Sequence, residues 1–138
     1  VGAFMSSAEM MDCLSHSPKL GHITTFGGNP LIAASCCATL KEVLGSNLMQ
    51  QIPEKEKLFR ELLVHPKIKH VNGMGLMLAV NLGNPEYCID VVGQCMEKGL
   101  IVSCQLYRNE YLRISPPLTI SEEEISEGCR IILEILDR

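Results

Sequence analysis

Apolar residues recur at helical spacing in five stretches of the chain, and this periodicity predicts five helices. In chain order they are a short helix through Met10, Met11 and Leu14, a helix over residues 30 to about 44, a second one that runs to about residue 64, one that starts at Asn84-Pro85, and a last one from Ser121. The last helix has a predicted buried stripe made of Ile125, Cys129, Ile132, Leu133 and Leu136.

Polar residues near the predicted helix ends indicate where two of these helices begin. Ser6 with Glu9, and Ser121 with Glu124, have the spacing of a capping box, in which each side chain accepts a backbone N–H of the first turn. Pro53 lies inside the third stretch, where it either begins a new helix or kinks the existing one.

Short runs of aliphatic and β-branched residues predict strands at residues 70–73, 76–82, 100–103 and 111–114, and a strand remnant at 1–4. Residues 15–28 are predicted to form a loop, because Pro18 and several glycines interrupt them. After a boundary near Gly45 the order is helix, two strands, helix, two strands, helix. This order predicts an α+β fold, a sheet with helices over one face.

Composition excludes several classes of function. The 138 residues carry 12 basic and 16 acidic side chains, a net charge of −4, which argues against a nucleic-acid-binding protein. No apolar run approaches the ~20 residues that a membrane span needs. The seven cysteines include no Cys-x-x-Cys pair and the four histidines have no ligand spacing, so we expect buried reduced thiols, a cytoplasmic protein and no metal site.

The stretch 24–30, with sequence TTFGGNP, combines a hydroxyl pair, a glycine turn and a helix start. Asn29 is a suitable N-cap and Pro30 suits the first helical position. Hydroxyls and free N–H groups beside a helix N-terminus favour an anion such as phosphate. From the spacing alone two interpretations stay open, an anion contact and a tight turn that only precedes a helix.

Several stretches resemble, in order and spacing, segments of the class-III aminotransferases, the group of acetylornithine, ornithine and 4-aminobutyrate aminotransferases. They are VGAFMSS at 1–7, HITT at 22–25, TTFGGNP followed by LIAAS at 24–35, NGMGLM at 72–77 and LRISPPL at 112–118. One position departs from the pattern, since Asn72 stands where the family usually has Arg, and no role is carried over to it.

The resemblance implies a pyridoxal 5'-phosphate enzyme of fold type I that moves an amino group between an amino acid and a 2-oxo acid. Thr25 matches a family threonine that reaches across a homodimer interface to the cofactor phosphate of the other subunit, and Thr24 is an auxiliary candidate. Arg113 matches a family arginine that binds a substrate carboxylate or an internal glutamate. Its planar fork suits a carboxylate, and the alternative is a structural ion pair with a nearby acid.

The resemblance also implies a division of the chain. Residues 1–45 would be the tail of a large cofactor-binding domain with the start of a connecting helix, and residues 46–138 a small C-terminal domain. The Schiff-base lysine would lie upstream, so the chain alone is expected to hold no catalytic residue and to be inactive. Other activities stay open: an aminomutase, racemase or decarboxylase of the same family, or a non-catalytic α+β binding module.

Overall fold

A computed structural model describes residues 2–3, 5–17 and 23–138. Helices and strands follow each other as α1 (Ala8–His16), α2 (Pro30–Gly45), α3 (Leu48–Leu62), β1 (His70–Met74), β2 (Met77–Asn81), α4 (Pro85–Glu97), β3 (Ser103–Gln105), β4 (Arg108–Ile114) and α5 (Glu122–Leu136). The chain separates into two compact units, Val1–Ser46 and Asn47–Arg138. No helix in the described part of the chain is long and apolar enough to cross a membrane.

The first unit contains α1 and α2. The hydroxyl of Ser7 accepts the N–H of Met10 at 3.3 Å and caps α1, so the predicted capping box of Ser6 and Glu9 is wrong. The hydroxyl of Ser6 lies instead 3.0 Å from the Met10 sulfur. Two adjacent serines precede this helix, and the backbone of the second one is extended, as a cap requires.

Two further predictions for this unit need correction. Gly2 and Ala3 belong to no strand, and the other two residues of the predicted remnant, Val1 and Phe4, lie outside the described residues. The predicted loop starts later than expected, because Ser15 and His16 are still part of α1, and residues 18–22 of that loop also lie outside the described residues. The helix predicted from Pro30 is confirmed, and neither α1 nor α2 contains a buried residue.

The second unit is an α+β layer, as predicted. Its sheet is antiparallel with strand order β1-β2-β4-β3. One face carries Leu78, Val80, Leu112 and Ile114, which join a single apolar cluster with buried residues of α3, α4 and α5. These aliphatic side chains lie on the inner face because alternate strand residues point to opposite sides.

The last helix has the predicted capping box. The hydroxyl of Ser121 accepts the N–H of Glu124, and the Glu124 carboxylate accepts the N–H of Ser121. Its buried stripe differs at one position, since Ile135 is 2% exposed whereas Leu133 is only half-buried. Pro53 lies within α3 and does not begin a new helix.

The β3–β4 hairpin starts and turns at other residues than predicted. Residues 100–102 are not part of a strand, because the N–H of Leu100 still donates to the Cys95 carbonyl at the end of α4. Gly99, which lies between Cys95 and Leu100, has φ +83°, and this conformation turns the chain out of the helix. A two-residue turn at 106–107 then allows β4 to begin at Arg108, three residues before the predicted start.

The β1–β2 hairpin depends on a glycine. Gly73 has φ +112°, and a Cβ at this position would lie 2.0 Å from the carbonyl oxygen of Met77. Real side chains never approach a backbone oxygen so closely, so the two strands meet here only because residue 73 has no side chain. Gly73 therefore has a structural role in this hairpin.

Candidate functional site

The turn before α2 places two threonine hydroxyls beside a helix start. The N–H of Gly27 donates to the Thr24 carbonyl at 3.0 Å, and the N–H of Asn29 donates to the Phe26 carbonyl at 3.1 Å. Backbone hydrogen bonds therefore hold the turn. Thr24 and Thr25 are both exposed, and the Thr25 hydroxyl forms no hydrogen bond with any described residue.

The free donors of this segment come from the turn and not from the first helical residues. The Asn29 side chain accepts the N–H groups of Leu31 and Ile32, at 3.0 and 3.5 Å, and so caps α2 as predicted. The N–H groups of Phe26 and Gly28 donate to no described residue. Together with the Thr25 hydroxyl they are a small set of donors of the kind that contacts an anion.

Arg113 lies in the second unit, in a row of side chains that crosses all four strands. The strand register pairs Asn72 with Ala79, Ala79 with Arg113, and Arg113 with Ser103. Neighbouring strands are about 4.8 Å apart, so each member of the row is a direct neighbour of the next. Ala79 has the smallest side chain of the four, which leaves space between Asn72 and Arg113.

The Arg113 guanidinium has no ion pair or hydrogen bond with a described residue. Arg113 is exposed, and the residue is one of those that line a cavity of about 430 Å³. The walls of this cavity are largely apolar and include Phe59 of α3, Leu100, Ile114 of β4 and Ile132 of α5. Of the two expectations for Arg113, the structural ion pair is thus not found in the described part of the chain.

Two residues were missed from the sequence: one that neighbours Arg113, and one that holds a loop lining the cavity. Ser103 shares the cavity wall with Arg113 and is paired with it across the hairpin, but the predicted strand ended at this residue, so the pairing was not visible. Lys55 is only 7% exposed, and its ammonium donates to the Leu118 carbonyl at 2.8 Å. This bond holds the loop after β4, whose residues Pro116 and Ile120 also line the cavity.

The buried cysteines provide no candidate site. All seven cysteines are free, and the sulfur atoms of Cys88 and Cys104 lie 3.5 Å apart, within hydrogen-bond distance. Burial, and then the hydrogen bond with Cys104, raises the pKa of the Cys88 thiol to about 12. Burial alone raises the pKa of Cys129 to about 12. Such thiols are poor nucleophiles, since the thiolate is the reactive form.

Comparison with known proteins shows the family to which the chain belongs. The family model for class-III aminotransferases matches residues 1–136. The chain belongs to the class-III aminotransferase family. One curated relative is the acetylornithine aminotransferase of Caldanaerobacter subterraneus subsp. tengcongensis. The two sequences are 36% identical over 120 residues, which cover 83% of this chain and 30% of that protein.

Two further members of the aminotransferase family confirm the match over a longer stretch and at the level of the fold. The mitochondrial ornithine aminotransferase of Oryza sativa subsp. japonica is 30% identical over 147 residues, covering 99% of this chain and 30% of the relative. The crystal structure of a Bacillus anthracis aminotransferase superposes with a TM-score of 0.77 at 28% identity, over 95% of this chain and 34% of that one. The chain spans about a third of the length of these relatives.

Proposed function

We propose that this chain is part of a pyridoxal-phosphate-dependent aminotransferase that moves an amino group between an amino acid and a 2-oxo acid. The observation that carries the proposal is the family match over residues 1–136, which includes both the threonine turn and the arginine strand. Curated relatives named acetylornithine, ornithine and putrescine aminotransferase support a donor of the ornithine, acetylornithine or 4-aminobutyrate type. In this proposal residues 1–45 belong to a large cofactor domain and residues 46–138 form the small domain.

Thr25 is the proposed contact to the cofactor phosphate, in the other subunit of a homodimer, with Thr24 as an auxiliary contact. The donor chemistry of the turn fits a phosphate, because a hydroxyl and two backbone N–H groups have no partner among the described residues. The hydroxyl would donate to a phosphate oxygen, and the N–H groups of Phe26 and Gly28 would add neutral donors. When bound, the cofactor supplies the electron sink of transamination.

Arg113 is the proposed contact to a substrate carboxylate. An exposed guanidinium without an acidic partner keeps its hydrogen-bond fork available for a ligand. Ser103 lies opposite on β3 and is placed to donate its hydroxyl to the same carboxylate. Lys55 would act through the loop that it holds, by fixing the cavity wall behind the bound group.

The test uses the complete aminotransferase that this proposal implies, referred to below as the longer protein, and measures cofactor absorbance and amino transfer. We expect a yellow protein that transfers the amino group of ornithine, acetylornithine or 4-aminobutyrate to a 2-oxo acid. Arg113→Lys should raise KM for the carboxylate substrate and leave cofactor absorbance unchanged, because lysine offers no bidentate fork. A colourless protein that transfers no amino group in the presence of added cofactor would refute the proposal.

A further inference from the structure

Two cysteine thiols from different elements meet at one edge of the sheet. Cys88 lies near the start of α4, and Cys104 is the middle residue of β3, which is an edge strand. Their sulfur atoms are 3.5 Å apart, although the residues are separated by 16 positions in the chain. Since β3 packs against α4, the approach of the two sulfur atoms is part of the packing of the second unit.

We propose that Cys88 and Cys104 form a reversible oxidation site, at which a small disulfide such as oxidised glutathione converts the two thiols into one intramolecular disulfide. The sulfur atoms of a disulfide are about 2.05 Å apart, so the thiols have to approach each other by about 1.5 Å. The backbone can adjust at this point, because the pairing of β3 with β4 is irregular between Cys104 and Gln105.

The different exposure of the two thiols sets the order of the steps. Cys104 is partly exposed on its edge strand, whereas Cys88 is 0% exposed, so the oxidant reaches Cys104 first. The Cys104 thiolate attacks one sulfur of oxidised glutathione, forms a mixed disulfide and releases one glutathione thiolate. Cys88 then loses its proton and attacks the Cys104 sulfur, which forms the internal disulfide and releases the second glutathione thiolate. In total the two protein thiols lose two electrons and two protons, and the small disulfide is reduced to two thiols.

The second step is intramolecular, and this offsets the low acidity of Cys88. Burial raises the pKa of Cys88 to about 12, which makes its thiol a poor nucleophile towards dissolved oxidants. A group held in contact with its target can react as if its concentration were on the order of 10⁵ M or more. Cys88 is therefore expected to react only after Cys104, and only with the Cys104 sulfur.

Other buried cysteines of the same unit provide matched controls. Cys95 lies on α4 as well and is also 0% exposed, and Cys129 of α5 is 1% exposed. In the part of the chain that the structure describes, neither sulfur lies within hydrogen-bond distance of another thiol. Burial alone thus does not distinguish Cys88 from these two residues, but the contact with Cys104 does.

The experiment exposes the folded 138-residue chain to oxidised glutathione without denaturant and maps the products by mass spectrometry of peptides. We expect a bridge between Cys88 and Cys104, seen as the loss of two hydrogen atoms, and its reversal by dithiothreitol. Glutathione on the exposed Cys13 or Cys37 is assigned separately by the same peptides.

Variants separate the two steps. Cys104→Ser should abolish the bridge and leave Cys88 unmodified, because the entry point is lost. Cys88→Ser should stop after the first step and accumulate glutathione on Cys104. Cys95→Ser should form the bridge as the wild type does.

The bridge should also stabilise the fold. A disulfide that closes a loop of about 15 residues shifts the unfolding equilibrium roughly a hundred-fold towards the folded state in the chain-entropy model. Urea unfolding of the bridged chain, compared with the same sample after reduction, measures this shift. No stabilisation, or a loss of stability, would show that the fold does not accommodate the bridge and would overturn the proposal.

Three mapping results would also overturn it. One is a wild-type chain in which Cys104 stays unmodified, and another is a wild-type chain in which glutathione stays on Cys104 although Cys88 is present. The third is a set of bridges that includes Cys95 or Cys129, since these thiols would be reached only through unfolding. The proposal does not depend on the aminotransferase activity, so each can fail without the other.

Discussion

Glu56 and Arg60, one turn apart on α3, together hold the β1–β2 hairpin. Arg60 donates to the carbonyls of Val71 and Gly73 at 2.7 and 2.8 Å, and Glu56 accepts the N–H of Gly75 at 2.6 Å. The two side chains also pair with each other at 2.8 Å. The hairpin that carries Asn72 is thus fixed to a helix by side chains that bind its backbone.

The first prediction concerns acid. The hydrogen bond from Arg60, and then the Gly75 N–H, hold the pKa of Glu56 below its ordinary 4.5. A lowered pKa in the folded state means that the stabilisation is complete above pH 4.5 and is lost as the pH falls through the folded pKa. We expect Glu56→Gln to be less stable than the wild type at neutral pH and the difference to shrink below pH 4.5, as measured by urea unfolding.

The comparison between the wild type and Glu56→Gln isolates the contribution of the Glu56 carboxylate to the unfolding free energy. Other glutamates with lowered pKa, such as Glu127 and Glu134, are present in both and cancel in the difference. A difference in unfolding free energy that stays constant from pH 7 to pH 3 would show that the Glu56 charge does not stabilise the hairpin.

The second prediction concerns Gly73. Gly73→Ala places a Cβ against the Met77 carbonyl at a φ that side chains rarely adopt, and the atoms it meets are backbone atoms of Met77 and Leu78, which cannot move aside easily. We expect a loss of roughly 3 kcal/mol or more in unfolding free energy, or no folded protein. Gly93→Ala, in open helical surroundings, should be neutral or stabilise by up to about 1 kcal/mol. Equal thermal stability of the two variants would contradict the close approach of the strands.

The third prediction concerns alkaline pH. Burial raises the pKa of Cys88 and Cys129 to about 12 and that of Cys95 to about 11, from 9.0. A raised pKa in the folded state means that stability is complete below about pH 9 and falls as the pH rises towards the folded pKa. Each thiol adds a slope of about 1.4 kcal/mol per pH unit. Cys129→Ala should unfold with a shallower pH dependence above pH 9, and an unchanged slope would show that Cys129 ionises freely in the fold.

The fourth prediction concerns the cofactor in the longer protein. Thr25→Ala should weaken retention about ten- to a hundred-fold, equivalent to about 1.5–3 kcal/mol for a hydrogen bond to a charged group. Thr24→Ala is the matched neighbour and should have a smaller effect. Cofactor loss on dialysis, followed by absorbance, measures both. Equal retention by wild type and Thr25→Ala would leave Thr25 as a turn residue only.

Local features were predicted well because their causes are local. The capping box at Ser121 and the Asn29 cap need only residues within one helical turn, and both are present as expected. At the first helix the same reasoning chose Ser6, because only Ser6 has a glutamate three residues later, whereas the extended backbone places the cap at Ser7. The order of helices and strands in the second unit was also predicted correctly, whereas the strand remnant at residues 1–4 was not found at Gly2 and Ala3.

The surroundings of Arg113 were not predictable in the same way. Its neighbours Ala79 and Ser103 are set by strand register, which depends on how residues distant in sequence pair. The hairpin turn at 106–107 also lets β4 begin at Arg108, three residues before the predicted start. Lys55 was overlooked for a similar reason, because its partner at Leu118 is 63 residues away in the chain.

The contrast between the two units has a consequence for amide hydrogen exchange. The amides of β2 and α5 belong to a buried cluster, so deuterium should reach them only when the whole second unit opens. α1 has nine residues and no buried side chain, and isolated helices of fewer than about 12–15 residues are marginal in water. Its amides should therefore exchange through local fraying, and the same chain would show fast and slow deuterium uptake on the two sides of Ser46.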